Sequence, residues 1–262
     1  MQPRLRPFLG RFLQHVAITA ASISLAVLAW AVFARYFAFP DLVPSPWATF
    51  GTGTQLLWSG ALLGHVGVSL QRVLVGYAAG CLLGVLVGAL MGRIRIVGQF
   101  ADPLLQLMRP ISPVALVPLS IIWFGIGDMS RYFIIFYGVV IIMIMNTAAG
   151  VAATPNIRLN AARCLGARPS QIFRRIIIPS AVPYILTGMR VALGFAFMGI
   201  VAAEMIALHS GLGYLIMDSR NAGNRYDLVV AGMIIIGLIG LLLDGLMRLL
   251  EGLKSVRWRY AR

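Results

Sequence analysis

Residues 154–183 read TPNIRLNAARCLGARPSQIFRRIIIPSAVP. The stretch separates two long apolar runs, and at about 30 residues it is far longer than most connections in a helical bundle. It is not of low complexity. Arg158, Arg163, Arg168, Arg174 and Arg175 make it basic, and apolar residues recur between its prolines at helical spacing. Residues 157–165 read as a short helix with Asn156 as its cap. Leu159, Ala162 and Gly166 fall near one face, extended by Ala161 and Leu165. So short a helix is not stable alone in water and needs a partner surface. Its alanines and Gly166 keep it slim enough for a groove. Pro169 then opens a second short helix through Gln171, Phe173, Arg174 and Ile177, and Pro179 with Pro183 marks the turn into the next apolar run.

The rest of the chain is the opposite in character. Of 262 residues, 60% are hydrophobic and 11% charged, too few polar groups to cover a soluble domain. Crossing a bilayer core takes about 20 residues of helix. Six runs qualify: 16–37, 65–91, 103–125, 131–153, 179–207 and 228–250. The third is the weakest, broken by Pro110, Pro113 and Pro118. Asp102-Pro103 reads as its helix start. The expected fold class is therefore an all-α membrane protein with six transmembrane helices. A segment 1–15 precedes a membrane domain 16–250, whose loop is 154–178, and a basic tail 251–262 follows. The first run lacks the short core and small-residue cleavage site of a signal peptide, so it reads as a retained span.

The net charge of +14, from 22 Lys and Arg against 8 Asp and Glu, would suggest nucleic acid in a soluble protein. Here its distribution explains it. Arg4, Arg6 and Arg11 precede the first span. Arg93, Arg95 and Arg109 follow the second. The long loop holds five arginines, and Arg248, Lys254, Arg257, Arg259 and Arg262 end the chain. With six alternating spans all four groups fall on one side, opposite only Arg35, Arg131, Arg220 and Arg225. The asymmetry places both termini in the cytosol, and a five-span topology would send one basic cluster outward.

The second span carries Gly76, Gly80, Gly84, Gly88 and Gly92, one glycine per four residues and hence one small face. Gly188, Ala192 and Ala196 repeat the pattern on the fifth. Such faces serve tight packing within the chain or, in a sharper reading, a subunit interface or gate. Kinks at the prolines of the third span hint at a pathway lining or a simple packing bend.

Asn160 to Pro179 resembles the signature of binding-protein-dependent ABC importer permeases: Glu-Ala-Ala, three residues, Gly, nine residues, Ile-x-Leu-Pro. Ala161, Ala162, Gly166, Ile176 and Pro179 match it, while Asn160 replaces the Glu and Ile178 the Leu. Residues 109–128 (RPISPVALVPLSIIWFGIGD), 201–207 (VAAEMIA) and 210–216 (SGLGYLI) resemble the taurine, sulfonate and nitrate branch of that family. The resemblance implies the type I ABC-importer permease fold. It also implies a coupling helix docked on a cytosolic ATP-hydrolysing subunit, carried here by Asn160, Ala161, Ala162 and Gly166 with Arg163 flanking. The loss of charge at Asn160 removes any ion pair made there. The implied partners are two ATP-binding subunits, a second permease copy (a homodimer in the simplest case) and a periplasmic or lipid-anchored binding protein, in the inner membrane. The implied substrate is a small sulfonate such as taurine, then nitrate or a thiamine-precursor pyrimidine.

Several polar residues sit within spans. Glu204 reads as a pathway or gate residue, as the partner of an Arg across a dimer, or as a helix cap at the outer interface. Arg72 reads as a snorkelling side chain, and Arg190 lies deep enough to need an interior partner. Asn146 and Thr147 face either the pathway or a neighbouring helix, and Asp244 and Arg248 are spaced as a local pair. Cys81 and Cys164 lie in different environments and are not expected to bridge, and His15, His65 and His209 do not cluster as metal ligands. No nucleophile–base arrangement is visible, so an enzyme is not expected. No glycine-rich loop ends in Gly-Lys-Ser/Thr. No cofactor is expected on this chain, and ATP would be used by the partner. A stand-alone secondary transporter or channel is the alternative, but it would have no reason to carry the Gly166 loop and should show repeated halves with a midplane ion site.

Overall fold

The computed structural model describes residues 6–36, 42–206, 210–221, 223 and 225–251, and every regular element among them is helical. The helices are α1 (Arg6–Tyr36), α2 (Pro46–Trp58), α3 (Ala61–Arg93), α4 (Arg95–Met108), α5 (Val117–Phe124), α6 (Asp128–Ala152), α7 (Asn156–Cys164), α8 (Pro169–Ile172), α9 (Ile178–Ile206), α10 (Leu212–Asn221) and α11 (Tyr226–Glu251). A 3-10 turn, Pro113–Leu116, precedes α5, and a π turn, Phe173–Ile177, joins α8 to α9. Arg4, the basic tail with Lys254, Arg257, Arg259 and Arg262, and His209 lie outside the described residues.

Among the described residues five helices are long and apolar enough to span a membrane: Ala17–Tyr36, Ala61–Arg93, Asp128–Ala152, Pro169–Ile206 and Tyr226–Leu249. The sixth expected span is not one helix. α4 and Pro113–Phe124 form a pair bent by 83°. The bend falls where Pro110 and Pro113 remove donors, and the Ser112 side chain and Pro113 start a fresh turn. Asp102-Pro103 is not a helix start. Pro103 lies inside α4, which begins at Arg95, and the Asp102 carboxylate instead accepts from Gln106 one turn later at 2.7 Å. Pro179 and Pro183 likewise do not mark a turn. The second short helix runs without a break through the π turn into α9. Widening the helix just before Pro179 accommodates its missing N–H and bulky ring. Two helices escaped the sequence reading, α2, capped by Ser45 with Pro46 in its first turn, and α10.

The chain divides into two units. One takes in Met1–Leu62 and Ile216–Met233. Within it the Thr52 hydroxyl donates to Asp227 at 2.7 Å, Arg225 pairs with Asp227 at 2.8 Å, and Ile216 packs against Gly232.

The other unit, Leu63–Leu215 with Ile234–Arg262, holds the main core. Val73, Tyr77 and Cys81 of α3, Ile135, Val139 and Met143 of α6, and Ala192, Ala196, Phe197 and Ile200 of α9 are buried together. Ile239, Leu243 and Met247 of α11 pack on them. The glycine stripe of α3 lies flat on α6. A Cβ at Gly76, Gly80, Gly84, Gly88 or Gly92 would come within 2.3–2.8 Å of Ile135, Val139, Met143, Ile144 and Thr147, or Val151, respectively. Four-residue spacing on one helix thus meets four-residue spacing on the other, and contact at backbone distance supplies the packing that lipid cannot drive. Gly188 of α9 approaches Asn146 of α6 in the same way.

Candidate functional site

The surface helix α7 is held from one side only. Ala162 and Leu159 face inward and pack with Ile172, Ile177, Val151 and Ala181. Ala162 therefore anchors the helix to its own chain. The outer face carries Ile157, 78% exposed, and Leu165, 86% exposed, with Ala161 also exposed between them. These three recur every four residues and form one exposed apolar stripe. Asn160 and Cys164 are exposed beside it, and Asn160 accepts a hydrogen bond from Arg163 at 3.2 Å. Pro155, not Asn156, takes the cap position, because its extended backbone leads into Asn156 as the first helical residue.

Gly166 ends α7 for a conformational reason. Its φ is +75°, its N–H donates to Arg163 and the next N–H, of Ala167, donates to Ala162, both at 3.0 Å. That pair of bonds is the Schellman arrangement, which places a left-handed residue where glycine is favoured. No atom lies within 4 Å of where a Cβ would sit, so space is not the constraint. Replacing Gly166 by valine should fray the last turn of α7 and disturb the exposed stripe, at a cost of about 1–2 kcal/mol from the left-handed conformation. Limited proteolysis at Arg163 and Arg168 should then run faster than in the parent chain, and an unchanged rate would contradict it.

A second polar centre lies where α3, α6, α9 and the start of α10 meet. Glu204 is 1% exposed and Arg72 5%, and they pair at 2.8 Å. Arg72 also donates to Asp128 at 2.8 Å and to the Ser210 carbonyl at 3.0 Å, and Arg131 pairs with Asp128 as well. The Ser69 hydroxyl donates to the Glu204 carboxylate at 2.8 Å and accepts from the Leu212 N–H at 2.9 Å. The Gly213 N–H donates to the same carboxylate at 3.0 Å, and His65 Nδ1 accepts from the Gly211 N–H at 3.1 Å. His65, Ser69 and Arg72 share one face of α3. The glycines of SGLGYLI follow from this: a Cβ on Gly211 (φ +116°) would stand 2.3 Å from the Glu204 carboxyl, and one on Gly213 would stand 2.4 Å from the Val201 carbonyl. Arg72 is therefore not a snorkelling side chain, because two carboxylates and a carbonyl hold it inside. The partner of Glu204 lies in its own chain, on the neighbouring helix, rather than across a dimer, and the side chain is buried rather than at an interface. This centre had a legible signal, two lone opposite charges in apolar spans, but the 132 residues between them hid the pairing.

Asn146 and Thr147 part company. Thr147 is fully buried under Gly88. Asn146 returns a hydrogen bond to Ile142 of its own helix at 2.9 Å and lines a cavity of about 290 Å³ with Arg109, Pro113, Tyr137, Val191 and Phe195. Arg109 thus departs from the basic group of Arg93 and Arg95: it ends α4 and lines a cavity beside the middle of α6. Arg190 pairs with Asp244, which Arg248 also contacts at 2.8 Å. Among the described residues no group of three His, Cys, Asp or Glu side chains is placed to hold a metal.

Comparison with known proteins agrees with this architecture. A family model described as binding-protein-dependent transport system inner membrane component matches residues 80–255. A putative ABC transporter permease protein of Methanocaldococcus jannaschii is 42% identical over 241 residues, 90% of each chain. The taurine transport system permease protein TauC of Escherichia coli is 35% identical over 244 residues, 89% of this chain and 88% of its own. The nitrate import permease protein NrtB of Synechococcus elongatus is 37% identical over 198 residues, 75% and 67% of the two chains. A chain of the MetNI methionine ABC transporter, in an inward-facing conformation, superposes with a TM-score of 0.67 at 17% identity over 79% of this chain and 99% of its own. The fold is that of a type I ABC-importer permease, and the chain belongs to the family of binding-protein-dependent transport system inner membrane components.

Proposed function

We propose that the chain forms the translocation pathway of an ATP-driven importer for a small organic sulfonate such as taurine, and that α7 couples that pathway to a cytosolic ATPase. The observation that carries the coupling is the exposed stripe Ile157, Ala161 and Leu165 on a helix fixed from its opposite face. α7 stands between the end of α6 and the continuous helix Pro169–Ile206, so a push on its outer face reaches two packed spans. Burying Ile157 and Leu165 in a cleft would supply about 1.5–3 kcal/mol each. The full assembly is two copies of this chain, two ATP-binding subunits and an external binding protein in the inner membrane, with both termini cytosolic. ATP is bound by the partner subunits. The taurine relative matches over more of both chains than the nitrate relative does, which favours the sulfonate.

Leu165→Asp puts a charge in the docked stripe. It should leave membrane insertion intact and weaken retention of the ATPase subunit in detergent at least about tenfold, as the loss of one buried leucine predicts. Undiminished copurification would overturn the coupling role. Cys164 beside the stripe is exposed, so an impermeant thiol reagent should label it in inside-out vesicles and not in intact cells. Labelling from outside would reverse the topology. For the substrate, the cognate binding protein should gain thermal stability with taurine or an alkanesulfonate; a shift with nitrate alone would move the system to nitrate.

A further inference from the structure

Arg72, Arg131 and Arg190 of the main unit are each paired with a carboxylate, of Glu204, Asp128 and Asp244 respectively. Arg109 differs from them. No carboxylate among the described residues pairs with it, and its side chain is exposed at the cavity of about 290 Å³. The depth of that cavity is fixed by α6. Its walls include Tyr137, Gly138, Ile141 and Asn146, the middle of a helix that runs from Asp128 to Ala152. The Tyr137 hydroxyl donates to the Met108 carbonyl at 2.9 Å, pinning the residue next to Arg109 at that level. Irregular backbone at membrane depth is tolerated where it lines a cavity, and the break at 109–112 does so here. An ionisable group at such depth is expensive and is kept for a purpose.

Resting on the sulfonate reading above, we propose that Arg109 is the anion-selecting group of the pathway and meets the negatively charged headgroup of the solute in this cavity as it crosses. The volume suits a small solute, near the lower limit of ordinary ligand pockets. Tyr137, Val191 and Phe195 give it a largely apolar wall, which strengthens the attraction of a guanidinium for an anion. Asn146 adds an amide to the lining. Because Arg109 remains exposed, its hold on the anion is weak enough to permit release, as conduction requires. A carboxylate partner would have cancelled this field.

The test uses a reporter cysteine, Val191→Cys, on the full transporter with C81A and C164S. With each rate divided by the same reagent's rate with a free thiol, sulfonatoethyl methanethiosulfonate, an anion, should modify it about tenfold faster than the cationic trimethylammonioethyl reagent, as expected for one screened charge nearby. R109Q should abolish that ratio and R109K should keep most of it. An equal ratio in R109Q, or a cysteine that neither reagent reaches, overturns the proposal. In proteoliposomes with the ATPase and binding protein, R109Q should also cut uptake of the anionic substrate at least tenfold, and unchanged uptake overturns the proposal equally. Should the parent transporter import none of the sulfonates, the substrate reading fails by itself, while the reagent ratio still decides the role of Arg109.

Discussion

Glu204→Ala should lower the stability of the folded permease by about 3–5 kcal/mol, the usual cost of leaving a buried charge unpaired. Arg72 would keep Asp128, but its guanidinium would lose the carboxylate that is itself shielded from water. The Gly213 N–H and the Ser69 hydroxyl would lose their acceptor as well, each worth roughly 1 kcal/mol. A thermal melt of the detergent-solubilised protein, followed by size-exclusion chromatography, reads the effect as a lower midpoint. Glu204→Gln should fall between parent and alanine variant, because an amide oxygen still accepts from both donors while the charge is gone. Pairing E204L with R72L should recover most of the stability, since apolar replacement of both members of a buried pair is often close to neutral. It should not recover the segment that leads into α10, where Ser210 and Gly213 are held by the removed groups. A thiol probe at Ser210 should therefore react faster in the double variant than in the parent. Equal melting of E204A and the parent would show that the pair does not hold this end of the bundle.

How far the sequence reached differs from element to element. The spans were legible because a run of apolar residues has few alternatives to crossing a membrane. The glycine stripe of α3 was legible as a small face, but its counterpart on α6 was not, since Ile135, Val139 and Met143 look like any apolar span. Prolines announced trouble in the third span without disclosing an 83° bend, because a proline removes a bond but the neighbouring helices set the angle. α2 escaped because PWATFGTGTQLLW mixes glycine and threonine, weak helix formers, into a segment with no charge pattern. α7 was recognised, yet helical period alone does not say which face turns inward. Leu159 and Ala162 do so, and Ile157, Ala161 and Leu165 are left for a partner. Arg109 was counted with the cytosolic charges from its position along the chain, which does not disclose that the end of α4 lines a cavity with Tyr137.

Gly88→Ala should be far more damaging than its size suggests. The added Cβ would stand 2.6 Å from the Ile144 carbonyl and 2.7 Å from the Thr147 Cβ. Neither is the end of a flexible side chain, so α3 and α6 must separate. Overpacking of this kind costs about 1–3 kcal/mol in well-packed cores. Between spans the consequence is larger in kind, because lipid supplies no hydrophobic force to press the helices together again. Gly240 of α11 provides the control: nothing lies within 4 Å of its Cβ position, so Gly240→Ala should be neutral or stabilise by up to about 1 kcal/mol through helix propensity. The two variants carry the same chemical change on two spans of the same unit, and the difference between their melting midpoints isolates close approach from propensity. Gly84→Ala, whose Cβ would meet the Met143 Cβ at 2.3 Å, should follow Gly88→Ala. If all three variants melt with the parent protein, α3 and α6 are free to slide, and the stripe is a moving surface rather than a fixed seam.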